Sequence, residues 1–161
     1  MLQLNDLFFG LCGLPVSVPT ALPDGTGASY TSSITAECFD ANQVITSGSD
    51  ILQVCINIEH AFLGDLDIVL IAPNGNEVIL KPFSNFPGNE NVYLGEATEN
   101  ATPGTGFEYC FTASATDLLV DGNTVQVPDT SNPGNTQPSI EAGDYLPFES
   151  FDNLIGTPLN G

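Results

Sequence analysis

The stretch from Ile51 to Lys81 constrains this chain most, because its apolar residues recur at every second position through three successive runs. Leu52, Val54, Ile56 and Ile58 share one face, and Gln53, Cys55, Asn57 and Glu59 share the other. That alternation marks a half-buried antiparallel strand. Gly64-Asp65 makes a first bend, after which Leu66, Ile68 and Leu70 open a second apolar face. Pro73-Asn74-Gly75 is a hairpin signal, since Asn and Gly tolerate the positive φ of a tight turn. Val78 and Leu80 continue the buried face on the returning strand. Three strands in a row are therefore expected over residues 51–81.

The rest of the chain points the same way. Its 12 prolines and 16 glycines are scattered among short strand-like runs, which favours an all-β sandwich or barrel over helices. The richest helix-like segment, Asn5 to Leu14, is interrupted by Gly10 and Gly13 and followed by Pro15. Ala28 to Phe39 reads as β-rich, Val44 to Thr46 and Tyr93-Leu94 as short pairings, and Phe107 to Thr112 as a strand with Phe107, Tyr109 and Phe111 inward. Two weaker strands are expected between Leu118 and Val127, around Asp121-Gly122-Asn123. Residues 128–142 read as loop, too polar to pack alone.

Twenty acidic residues face one lysine, Lys81, no arginine and one histidine, His60, for a net charge of −19. Such a chain has nothing to replace the counterions of a nucleic acid, and it is repelled by anionic membranes. The charge has two compatible explanations, solvation of an extracellular surface and carboxylates gathered around a hard cation such as Ca²⁺. No run reaches the roughly 18 apolar residues of a membrane span, so membrane insertion is not expected. The apolar patch Leu7-Phe8-Phe9 follows Asp6 rather than a basic residue and does not read as a signal peptide. The sequence thus reads as a mature or excised segment.

Four cysteines, Cys12, Cys38, Cys55 and Cys110, allow three pairings, and the sequence alone leaves them open. No CxxC or Cys/His cluster invites zinc. Cys55 and Cys110 both fall on the polar parity of their strands, an odd place for free thiols, and a disulfide between neighbouring strands would account for both. Secretion is the compartment that fits.

The run Val54 to Leu80 resembles the P domain, or Homo B domain, that follows the catalytic domain in subtilisin-like proprotein convertases. The resemblance is carried by an apolar strand ending at His60, then Gly64-Asp65-Leu66, Pro73-Asn74-Gly75 and a closing apolar strand. The flanking Leu22-Pro23-Asp24-Gly25-Thr26-Gly27, and Leu146 to Gly161 with its Pro158-Leu159-Asn160-Gly161, are also similar to the family. The likeness is strongest to versions found in secreted and cell-surface proteins of Bacteroidota, adhesins among them. It implies a jelly-roll β-sandwich of about eight strands over residues 20–161, with 1–19 as a lead-in. It further implies a non-catalytic accessory or adhesive role at the cell surface or outside it, beside other domains or subunits, and calcium in several members. A second reading is a stabilising P domain for a subtilisin-like serine protease whose catalytic domain lies elsewhere. Family members continue past the Leu-Asn-Gly step with a Trp-containing strand, whereas this chain has no Trp. The expectation is a sandwich short of its closing C-terminal strands, with an edge open to strand donation from another chain.

Catalytic chemistry has little to work with. His60 is the one histidine, and its parity places it toward the core as a histidine satisfied by a backbone or carboxylate partner. No pair of carboxylates stands out for glycoside hydrolysis. A carbohydrate-binding module would need an aromatic platform, which a chain with no Trp and four Tyr supplies poorly. For calcium the expected ligands are Glu59, Asp65 and Asp67, where two strand ends meet at one bend, with Asp24 and Asp40 as secondary candidates. The alternative for Asp65 is a carboxylate capping the turn N–H groups. Asn100-Ala101-Thr102 is a glycosylation sequon by pattern.

Overall fold

Alternation over 51–81 does produce three strands. In a computed structural model that describes residues 2–3, 20–23, 27–83, 88–98 and 104–161, these are β2 (Val54–Ile58), β3 (Ile68–Ile71) and β4 (Glu77–Lys81). They follow the two-residue β1 (Leu2–Gln3) and precede β5 (Tyr93–Leu94), β6 (Phe107–Phe111), β7 (Thr124–Pro128), β8 (Thr136–Ile140) and β9 (Gly143–Tyr145). Among the described residues, four short 3-10 turns make up the rest of the regular structure, and the fold is all-β. The helix-like segment 5–14, Cys12, Asp24 and the sequon at Asn100 lie outside the described residues.

The strands form a four-stranded sheet in the order β1-β2-β6-β9, a β3-β4 hairpin and a three-stranded sheet β5-β8-β7. Between them lies the main core: Val54, Ile56 and Ile58 of β2 and Tyr109 and Phe111 of β6 meet Val78 and Leu80 of β4, Leu94 of β5 and Ile140 of β8, and a smaller cluster gathers Tyr93, Ala97 and Val127. Each fully buried aliphatic or aromatic side chain here contributes about 1.5–3 kcal/mol relative to exposure. This is a β-sandwich arrangement. Tyr109 ties the layers together, since its hydroxyl donates to Ile140 O at 3.0 Å and accepts from Gly95 N at 2.9 Å. Gly95 has φ +73°, and a Cβ there would stand 2.6 Å from Thr105 O, so this position needs glycine.

Cys55 and Cys110 face each other directly in the β2–β6 ladder and are disulfide-bonded, with Cα atoms 4.0 Å apart. The expected cross-strand link is present, but both residues are buried rather than turned to solvent. Cys38 is disulfide-bonded as well, and no described cysteine is free.

Other expectations needed correction. Leu52 is 71% exposed, because β2 starts only at Val54 and the inward parity does not reach back to it. Residues 28–39 form no strand, and 44–46 contribute a single bridge, Val44 to Pro158. The first half of 118–127 is a 3-10 turn, Leu119–Asp121, and only β7 is extended. Residues 128–142 are not all loop, for β8 runs between β5 and β7. A proline is unusual in a central strand. Pro138 is tolerated because β5 pairs only with Ser139 and Ile140, which leaves Pro138 outside that short ladder.

The two stretches similar to P domains at the hairpin and at Pro158–Gly161 touch each other. Asn74 Oδ1 accepts from Asn76 N at 3.0 Å, fixing the bend, and from Thr157 Oγ1 at 3.2 Å. Gly161 packs so closely on Pro73 that a Cβ would collide with that ring. Asn160 then clamps Phe39: its Nδ2 donates to Phe39 O at 2.7 Å and its Oδ1 accepts from Phe39 N at 2.9 Å.

Candidate functional site

The bend from Glu59 to Asp67 carries the histidine and the expected calcium ligands, and the sole lysine, Lys81, reaches it through Leu66 O. Leu63 anchors it, fully buried, with its N–H on Val92 O at 3.0 Å. The next N–H, of Gly64, donates to Glu90 O at 2.8 Å, and a Cβ on Gly64 would stand 3.0 Å from that oxygen. The Leu-Gly-Asp-Leu run thus supplies an anchor, a close backbone approach, an exposed carboxylate and, in Leu66, a second partly buried contact with the core.

His60 keeps a structural post. Its backbone exchanges two hydrogen bonds with Leu94, and its Nδ1 lies 2.9 Å from Phe62 O and 3.2 Å from Phe62 N. One tautomer donates to the carbonyl and the other accepts from the amide. Burial pushes the imidazole below its ordinary pKa, against the opposing pull of the Phe62 backbone, Glu59 and Asp65.

Lys81 is the feature that sequence parity missed. Its position beside Val78 and Leu80 puts it on the outward parity, yet it is only 1% exposed. The register of β3 against β4 shifts between Ile68 and Val69, so Lys81 pairs with Ile68 while Ile79 pairs with Val69. Its Nζ donates to Leu66 O at 2.6 Å. Burial lowers its pKa to about 8, while the charges of Asp67, Glu90 and Asp65 hold it up. Glu90 Oε1 is itself buried with no hydrogen-bond partner.

The expected ligands are divided between different partners. Glu59 Oε2 accepts from Gly104 N at 3.3 Å, whereas Asp65 and Asp67 are exposed and act on the Lys81 ammonium. The Asp65 carboxylate takes no turn N–H, so the capping alternative is not realised among the described residues. Asp40 sits in a separate turn, its N–H bonded to Gln43 Oε1. Among the described residues no three His, Cys, Asp or Glu side chains gather into a metal-holding group.

A second polar centre was not foreseen. Asp129 is buried and accepts from Ser131 N and Asn132 N at 2.9 Å and from Asn132 Nδ2 and Gln137 Nε2 at 3.2 Å. Burial works to raise its pKa, but these four hydrogen bonds outweigh it and the carboxyl titrates below its ordinary value. The signal was present in Asp129-Thr-Ser-Asn132, an Asx-turn pattern that the polarity of the segment made easy to read as plain loop.

Fold and site together define a disulfide-linked all-β module in which His60, Lys81 and Asp129 are bonded to nearby backbone groups. Residues 49–109 match the family model of the proprotein convertase P-domain, so the resemblance carried by 54–80 stands over that stretch. No curated protein and no solved structure matches the chain.

Proposed function

We propose that this chain is a non-catalytic accessory module of a larger extracellular or cell-surface protein or assembly. Its P-domain-like unit spans residues 20–161, and the leading segment 1–19 adds β1 (Leu2–Gln3) to the four-stranded sheet. The observation that carries the reading is the P-domain match over 49–109, which takes in β2 to β5 and Cys55 and ends within β6, one residue before Cys110, the disulfide partner of Cys55. P domains of convertases stabilise an adjoining protease and contribute none of its catalytic residues. A disulfide fits an oxidising compartment. No helix among the described residues is long and apolar enough to cross a membrane.

The finer reading is adhesive display, supported by the acidic, well-solvated surface. Calcium, with Glu59, Asp65 and Asp67 as its ligands, belongs to this reading, and a chelator that leaves the melting temperature unchanged removes it. The second reading, a stabilising domain for a subtilisin-like protease, is favoured by one surface feature. An open cleft of about 230 Å³, lined by apolar residues such as Leu80 and the exposed Phe148 together with Lys81 and Asp121, is where a neighbouring domain would meet it.

Thiol trapping tests the location. Intact cells are quenched with a permeant maleimide, and the chain is then mapped by mass spectrometry. Cys55 and Cys110 unmodified and still linked support the extracellular reading, and alkylation of both defeats it.

A further inference from the structure

Among the described residues, strand β3 has a neighbour on one side only. It pairs with β4, and the far side of β4 is taken by Phe148 and Glu149: Phe148 N donates to Leu80 O, and Glu149 N to Ile79 O. Two observations fix which way the β3 backbone faces. Ala72 N donates to Asn76 O at 2.8 Å, and Ile79 gives its N–H and C=O to Glu149, away from β3. Antiparallel alternation then points Leu70 at β4 and sets the amides and carbonyls of Val69 and Ile71 toward the open side. Their side chains are 37% and 56% exposed.

Edge strands in soluble proteins are usually blunted by charge, proline or shortness. The other described edges obey this: β7 ends in Pro128 and exposes Thr124 and Gln126, β9 carries Asp144, and β1 has two residues. By contrast β3 reads Ile-Val-Leu-Ile, with no charged residue or proline within the strand itself. Its surroundings are acidic at both ends, with exposed Asp65 and Asp67 ahead of Ile68 and exposed Glu77 opposite Ile71.

We propose that the open edge of β3 receives an extended strand from a positively charged partner chain, which pairs with the backbone of Val69 and Ile71. A second copy is a poor occupant, because each brings a net charge of −19 and its only lysine is buried. The strand that fits alternates small apolar residues and carries Lys or Arg at its ends, where Asp67 and Glu77 await it. The inference deepens the assembly reading above and depends on it only for the place where such a partner is met. Thiol trapping decides that place separately.

The test uses the full chain and two synthetic peptides, Lys-Lys-Thr-Val-Thr-Val-Lys-Lys and its Glu-for-Lys counterpart. The basic peptide should slow amide hydrogen exchange at Val69 and Ile71 by about tenfold or more while leaving Leu70 unchanged, and the acidic one should do nothing. Ile71→Pro removes only an outward N–H, so it should keep the fold and weaken peptide binding about tenfold or more. Should that variant fail to fold, Val69→Lys with Ile71→Lys, at exposed positions, should give the same loss by repelling the basic strand. No slowing at millimolar basic peptide, equal slowing by both peptides, or undiminished binding by the variants overturns the proposal. So does protection of Val69 and Ile71 by self-association of the protein alone.

Discussion

Removing the Cys55–Cys110 link with Cys55→Ala and Cys110→Ala tests how far the sandwich depends on it. The two cysteines are 55 residues apart in sequence, and the chain between them includes the entire β3–β4 hairpin. Closing a loop of that length in the unfolded chain removes entropy worth about 4 kcal/mol at room temperature. For a domain of this size each kcal/mol moves the melting temperature by about 2–4 °C, so the double variant should melt about 8–16 °C lower. The five-pair register from Val54–Phe111 to Ile58–Phe107 does not require the sulfurs, so far-UV circular dichroism below the transition should be unchanged. Differential scanning calorimetry reads the shift, and because Cys38 is left untouched its own disulfide does not confuse the comparison. A drop smaller than about 3 °C would refute the loop-entropy argument, since it would mean the intervening chain is already constrained when unfolded.

Lys81→Met should abolish a pH dependence. The folded lysine releases its proton near pH 8 and the unfolded one near 10.5, so the unfolded state binds more protons between those values and stability rises with pH across that window. The rise is about 1–2 kcal/mol once a bound of about 3 is discounted for solvent screening, and urea titrations at pH 7.5 and 9.5 should show it in the parent and not in the variant. Asp129 behaves in the opposite sense: its depressed pKa gives stability that is present above the unfolded value of 3.8 and lost as pH falls through the folded one. Asp129→Asn should lower the melting temperature at pH 7 and flatten the acid limb, and equal acid sensitivity in both proteins would contradict this. Asn160→Ala strips both side-chain bonds from Phe39 and should cost about 1–2 kcal/mol in denaturant titration, with Asn160→Asp recovering only the bond from Phe39 N.

The β2–β3–β4 frame was legible because a buried strand face leaves a period of two in the sequence, and Ile56, Val78 and Leu80 are inside as that period requires. The cross-strand cysteines were legible for the same reason, both being out of phase with the apolar face. What escaped was set by contacts from elsewhere in the chain. Ser139 is fully buried with its hydroxyl on Tyr93 O, a place that β5 and β7 create and that the polar run around it conceals. The burial of Lys81 follows from a register shift in its partner strand, and the exposure of Leu52 from where a strand begins, neither of which a periodic pattern encodes. At the bend, proximity in sequence pointed to Glu59, Asp65 and Asp67 as one group. The fold turns Glu59 to Gly104 and leaves the two aspartates beside a cation the chain supplies itself.

That last arrangement bears on what the module does. Within the matched stretch, the groups most apt for catalysis are tied to the backbone: His60 Nδ1 to Phe62, Lys81 Nζ to Leu66 O, Glu59 to Gly104 N. Each holds a turn or a strand end that fixes the hairpin against the rest of the sandwich. A general base must reach a substrate proton, and a nucleophile must be free to attack. Freeing any of the three would loosen the connection between β2 and β4, where the Leu63 anchor and the Lys81 bond hold the bend.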